Sequence, residues 1–395
     1  MDVIKKVNTI KDKLIEIRED FHKYPELSFQ ERRTSKRIAD ILQELNLDNI
    51  QTGIAGTGVV GVLFGKKPGK TIALRADIDA LPIQEENNVS YKSENDGIMH
   101  ACGHDAHITS VLGTAMVLCD MKDELCGNVK FIFQPAEEIF GGAKIMVENG
   151  VLESDPKVDA IVGMHVWPGL DVGAIGVRSG AMMASADKFE IAILSNGGHG
   201  AMPHLTSDPI VSSAQIINSL QTIASRSIDP LKPIVISVCR IEGGHAFNII
   251  PKEVRMEGTI RTLDDNVSNK AVKKIKDIIS GIEKAMDVKC QFNYINGCPA
   301  LINHPDIVEL IEKAGTVILG SDKVIRVEPT MGGEDFTYFA RKVPGAMFCL
   351  GVRNKELGFT SPVHTPKFDI DPDSLVIGTS MLVQTTLMFL MNKGN

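Results

Sequence analysis

Met99-His100-Ala101-Cys102-Gly103-His104-Asp105-Ala106-His107 gathers a thiol and three imidazoles into one short turn, broken by a glycine, that opens a helix. Donors packed this closely point to a metal. Working outward, the other potential ligands each follow a short apolar, β-branched run. Residues 71–75 lead into Asp77 and Asp79, residues 129–134 into Glu137 and Glu138, and residues 160–164 into His165. In an open α/β sheet the loops at the carboxyl ends of neighbouring strands converge on one crevice, so carboxylates and imidazoles far apart in sequence are expected to meet.

At 395 residues the chain exceeds one ordinary hydrophobic core, and two domains are expected. Hydrophobic residues at 43% and charged residues at 23% fit a globular enzyme. A net charge of -8 and a pI near 5.7 argue against a nucleic-acid partner, which would need a basic face to neutralise phosphates, and favour a small-molecule substrate. Ile4, Val7, Ile10, Leu14, Ile17 and Phe21 recur at helical spacing and predict an amphipathic surface helix. Lys11, Asp12 and Lys13 interrupt it, so it does not read as a secretory signal. The apolar run 375–391 is the one membrane candidate, but Thr379, Ser380, Gln384, Thr385 and Thr386 make it a core helix, and no membrane partner is expected. Seven scattered cysteines form no disulfide framework and suit a reducing cytoplasm.

Up to about residue 179 helical patterns alternate with apolar strands, the grammar of βαβ units and a largely parallel sheet. The grammar then changes. Strands at 187–194, 233–241, 254–262 and 288–295, with helices at 209–225 and 269–285, spell βαββαβ, a two-layer module on an antiparallel sheet. Helix 306–319, strand 346–352 and the final helix then resume the first pattern. The predicted fold is α/β: a largely parallel, mixed-sheet catalytic domain from 1–183 and 298–395, with an inserted lid and dimerisation domain at 184–297.

Arg75-Ala76-Asp77-Ile78-Asp79-Ala80-Leu81-Pro82, the 99–107 stretch, Gln134-Pro135-Ala136-Glu137-Glu138, Gly198-His199-Gly200-Ala201, Gly332-Gly333-Glu334-Asp335-Phe336 and His364-Thr365-Pro366 occur in one order over nearly the whole chain. Together they resemble the amidohydrolase branch of the aminoacylase/carboxypeptidase family of dinuclear metallohydrolases, which includes hippurate hydrolases, indole-acetyl amino-acid hydrolases and N-acetyldiaminopimelate deacetylases.

The resemblance implies two divalent ions per subunit held by Cys102, His104, Glu138, His165 and His364. This mixed S, N and O set suits manganese or zinc, with nickel or cobalt as alternatives. It gives Glu137 the role of general base toward a water acidified by the metal, and makes Asp79 the aspartate that tunes Glu137 or orients a ligand. Asp77 stands where related branches carry a metal-binding histidine; both aspartates could instead cap the following segment. Consecutive side chains after a strand point apart, which predicts divergent Glu137 and Glu138. His107, one turn beyond His104, reads as a supporting or capping residue.

In the inserted module, the resemblance assigns His199 to the tetrahedral oxyanion of a neighbouring subunit's site in a homodimer or homo-oligomer. His204 reads as a loop or capping histidine. Asn248 and Arg261 resemble the family's contacts to a substrate carboxylate, a task that suits the planar guanidinium; Arg261 as a plain strand residue stands equally open. Ile139 and Phe140 replace the glycine that often follows the paired glutamates, and could line an acyl pocket. The implied reaction is hydrolysis of an N-acyl-L-amino acid to a carboxylate and a free amino acid. The alternatives are a dipeptidase or carboxypeptidase on the same fold, and a hydrolase with Cys102 as nucleophile. The last leaves Glu137, Glu138, His165 and His364 without a role.

Overall fold

The computed structural model describes residues 2–391; Met1 and residues 392–395 of the expected catalytic domain lie outside them. The chain divides into two units. One runs from the N-terminal end to Gly180, through Ile302–Glu328 and from Asp335 onward; the other comprises Ala181–Leu301 and Pro329–Glu334.

Strand Lys67–Asp77 lies inside an eight-stranded sheet of the first unit, flanked in parallel by Cys126–Gln134 and Ala160–Asp171. From Thr71 to Asp77 every residue is buried, because helices cover a parallel sheet on both faces and leave no solvated side. Beyond Ala160–Asp171 the sheet continues in parallel to Gly345–Arg353, whereas Gly58–Phe64 joins Cys126–Gln134 antiparallel, so the sheet is mixed and largely parallel. Register aligns the strand ends: Asp77 lies opposite Gln134 and Arg75 opposite Gly163, which sets His165 level with Asp77. His165 therefore lies within Ala160–Asp171 and not past a strand end, because the strand runs on for six residues beyond it.

Helices His104–Cys119 and Asp373–Met391 carry apolar residues on all sides, as buried helices do. On length and composition Asp373–Met391 could cross a membrane, but 72% of its apolar window is buried inside the protein, the core helix read from its polar interruptions. The expected N-terminal surface helix is two helices, Val3–Asn8 and Lys11–Lys23, and the second buries Arg18 and His22 beside Leu14, Ile17 and Phe21. Charge on the inward face is what the apolar pattern alone does not reveal.

In the second unit, Ile234–Gly243, Glu253–Thr262, Ala186–Leu194 and Lys289–Cys298 form an antiparallel sheet in that order. Alternating burial along the strands leaves one face solvated, while Phe189, Ile191 and Ile193 pack with Ile216, Leu220 and Ile275 of helices Pro209–Thr222 and Asp265–Met286. Asp208 and Asp264 cap those helices by accepting backbone N–H groups. The Pro329–Glu334 return joins this unit because Ala184 N–H meets the carbonyls of Thr330 and Gly332. The loop after the first strand is partly ordered: Gly198–His199 pairs antiparallel with Ile249–Ile250.

Candidate metal centre

Gly103 caps helix His104–Cys119 at φ +79°, and a Cβ there would stand 2.5 Å from a Val166 methyl, so only glycine admits the turn. The turn sends His104 inward. Its Nδ1–H donates to the Asp79 carbonyl at 2.8 Å, which fixes the tautomer and leaves Nε2 as the ligating atom. His165 is held alike, Nδ1–H donating to the Val166 carbonyl at 2.7 Å, with Nε2 3.5 Å from Cys102 Sγ. His364 Nε2 reaches the same sulfur at 3.3 Å and Glu138 Oε1 at 3.5 Å. His364 sits at φ +61°, held by its N–H bond to the Ala101 carbonyl.

The two glutamates converge, contrary to the alternation expected after a strand. Glu138 Oε1 lies 3.8 Å and Glu137 Oε2 4.0 Å from His104 Nε2. The reason is that the strand stops at Gln134 and Ala136, at φ +53°, turns the chain into a tight loop closed by Phe140 N–H on the Glu137 carbonyl. Two carboxylates fasten that loop. Asp79 accepts the N–H groups of Glu137 and Glu138 at 3.0 and 3.1 Å, and Glu31, itself bonded by the Thr57 hydroxyl, accepts that of Ala136. Neither Asp77 nor Asp79 caps a helix.

His107 is excluded from ligation because both ring nitrogens are engaged: Nδ1–H bonds Asp77, and Nε2 accepts the Val166 N–H at 2.9 Å. Burial, against the pull of Asp77, lowers its pKa to about 4 and keeps it neutral. Asp77 is itself buried, but His104, His107 and Arg75 hold its carboxyl well below the usual range. Arg75, also buried, donates to Asp77, Gln134 and Asp335, tying the strand end to the segment after Gly333.

Cys102 belongs to two donor groups, one with His104 and His165 and one with Glu138 and His364. Among the described residues, His104 Nε2 and Glu138 Oε1 are buried with no hydrogen-bond partner, although they face each other. Such orphaned atoms are costly, and a cation answers both. Charge agrees: burial followed by Glu138 and Glu137 pushes the Cys102 thiol well up, while on His104 the surrounding Asp77, Asp79 and Glu138 outweigh burial and lift the imidazole to about 10. A divalent ion held by Cys102 and His104 would take the place of both protons and would supply the positive charge that the carboxylates favour. The donor set fits a metal.

The sequence profile described as Peptidase family M20/M25/M40 matches residues 73–387. The chain belongs to this family. It is 42% identical to thermostable carboxypeptidase 1 of Saccharolobus solfataricus over 386 residues, 96% of each chain. It is 39% identical to an N-acetylcysteine deacetylase of Bacillus subtilis, covering 96% of this chain and 97% of that one. Among solved structures, the Bacillus subtilis YXEP protein, described as a dinuclear metal binding peptidase from the M20 family, superposes with a TM-score of 0.85 at 37% identity, covering 97% and 99% of the two chains. This M20 protein is thus a hydrolase acting on amide bonds, with a fold that binds metal.

The remaining M20 site candidates lie in the second unit. His199 and Asn248 are exposed and share a groove of about 1010 Å³ with Gly244, His245 and Arg255. His199 Nδ1 accepts the Ala201 N–H at 3.1 Å, so its neutral ring carries the proton on Nε2. Arg261 does not line this groove; half-buried in its strand, it donates to Thr259 Oγ1. His204 is exposed in the short helix Pro203–Leu205. Ile139 is 58% exposed and Phe140 half-buried. Sequence reading missed the supports Glu31, Arg18 and His22; charges at helical spacing on an apolar stripe were the available signal for the last two.

Proposed function

We propose that this M20 hydrolase is an N-acyl-L-amino-acid amidohydrolase that uses two divalent ions, manganese or zinc first, held by Cys102, His104, Glu138, His165 and His364. The observation that carries the reading is the buried, unpartnered His104 Nε2 and Glu138 Oε1 pair beside a second fixed carboxylate, Glu137. When bound, the ions polarise the scissile carbonyl and acidify a water. Glu137 takes the proton of that water and later gives it to the leaving amine. Asp79 does not touch the reactants: it holds the backbone of both glutamates and, through its carbonyl, the tautomer of His104. Asn248 binds the substrate carboxylate, and Arg261, at the far end of strand Glu253–Thr262 from it, joins that contact only from a different subunit. The likeness to an N-acetylcysteine deacetylase supports an N-acyl substrate; the likeness to a carboxypeptidase supports the second reading, cleavage of peptide bonds. Seven cysteines free of disulfides support a cytoplasmic home.

A panel of N-acetyl, N-benzoyl and N-indoleacetyl amino acids and dipeptides, given to metal-reconstituted protein, separates the two. An N-acyl amino acid is expected to exceed the best dipeptide in kcat/KM by about tenfold or more, since ~1.4 kcal/mol of transition-state preference suffices. The opposite ranking assigns a peptidase.

The inserted module acts as lid and dimerisation domain, and His199 Nε2–H donates to the oxyanion in the neighbouring subunit's site. Mixing equal amounts of Glu137→Ala and His199→Ala chains is then expected to regenerate about a quarter of wild-type activity, since half the dimers are mixed and each carries one complete site. No recovery despite demonstrated subunit exchange removes His199 from the partner's chemistry.

A further inference from the structure

Helix Lys11–Lys23 spends buried surface on a guanidinium and an imidazole that the mechanism above does not use. Arg18 donates through Nε to Asp105 Oδ2 and through Nη2 to Asp369 Oδ1, both at 2.7 Å, and lies over the Tyr91 ring. His22 bridges Asp105 at 2.8 Å and Glu85 at 3.1 Å, and the Tyr91 hydroxyl donates to the second oxygen of Asp369. All these charged groups are at least nine-tenths buried. Stability alone explains this poorly, because desolvating such a set costs about what its Coulombic attraction returns, and apolar residues of like volume serve as well.

The placement is informative. Asp105 is covalently next to His104, and Asp369 lies five residues after His364 in a segment without regular secondary structure. Glu85 and its neighbours grip the same segment, Glu86 N–H bonding the Pro366 carbonyl and Asn87 the Phe368 carbonyl. His364 is the most exposed of the five metal donors, with a side chain 51% exposed, and depends on its backbone for placement.

We propose that Arg18 is a positioning residue for the metal centre: its guanidinium, bonded at once to Asp105 and Asp369, sets the separation between His104 and His364. This rests on the ligand assignment under the proposed function. Only a planar fork bonds two carboxylates in fixed directions; an ammonium supplies charge without that geometry.

Cobalt(II) titration of metal-free protein, followed by calorimetry and by the visible spectrum of the bound ion, tests it on Arg18→Met, Arg18→Lys, Asp369→Asn and His364→Ala. His364→Ala is expected to lose one of two tightly bound ions. Arg18→Met is expected to weaken that same ion about 10–100-fold, the range for residues that orient ligands, and to shift the spectrum in the direction of His364→Ala. Arg18→Lys recovers affinity in part. Asp369→Asn keeps volume and charge burial mild, so it carries the test should Arg18→Met fail to fold, with about a tenfold loss expected. A lower melting temperature of the metal-free variants with wild-type affinity and spectrum for both ions overturns the proposal while leaving the ligands intact. Wild-type binding of both ions by His364→Ala overturns the ligand assignment, and the positioning role with it.

Discussion

Replacing Glu137 by glutamine is expected to lower kcat by about 10²–10⁴ while both ions stay bound, the loss that follows removal of a positioned general base. The substitution isolates the proton transfer. The backbone N–H of residue 137 still reaches Asp79, the loop still closes from Phe140, and glutamine matches the volume of a side chain that is 7% exposed. What disappears is a carboxylate 4.0 Å from His104 Nε2. Glu138→Gln provides the contrast: its Oε1 lies 3.5 Å from His364 Nε2 and belongs to the Cys102 and His364 donor group, so its loss is expected to release an ion. Steady-state kinetics with elemental analysis of each variant check both statements. Near-normal turnover by Glu137→Gln removes that residue from the mechanism.

The catalytic sheet was legible because parallel strands buried on both faces advertise themselves: residues 72–77 are apolar apart from Arg75 and Asp77, and those exceptions occupy the end that meets the centre. The 99–107 turn was legible for a related reason, since glycine at a left-handed position followed by inward histidines fits little besides a ligand-bearing helix start. What alternation could not supply was the path of the chain after Gln134. A left-handed Ala136, stabilised by Glu31 from a distant segment, brings Glu137 and Glu138 onto the same imidazole, and no local pattern records a partner more than a hundred residues away. The same holds for Arg18. Its place on the apolar stripe was visible, yet its carboxylate partners, at positions 105 and 369, become neighbours only in the folded protein. His107 shows the converse: a ligand-like residue whose exclusion required seeing both nitrogens engaged.

The most direct test of a metal-dependent amidohydrolase is hydrolysis of an N-acyl-L-amino acid before chelation, after it, and after return of manganese or zinc, with elemental analysis at each stage. Two divalent ions per chain are expected at the start, since two donor groups share Cys102 and ions there answer the unpartnered His104 Nε2 and Glu138 Oε1. Removing them is expected to cost about 10³-fold or more in rate, because several kcal/mol of carbonyl polarisation and water acidification leave with them. Restored ions restore the rate. Full activity in metal-free protein, or a loss produced only by alkylating Cys102, contradicts this outcome and assigns the chemistry to the thiol.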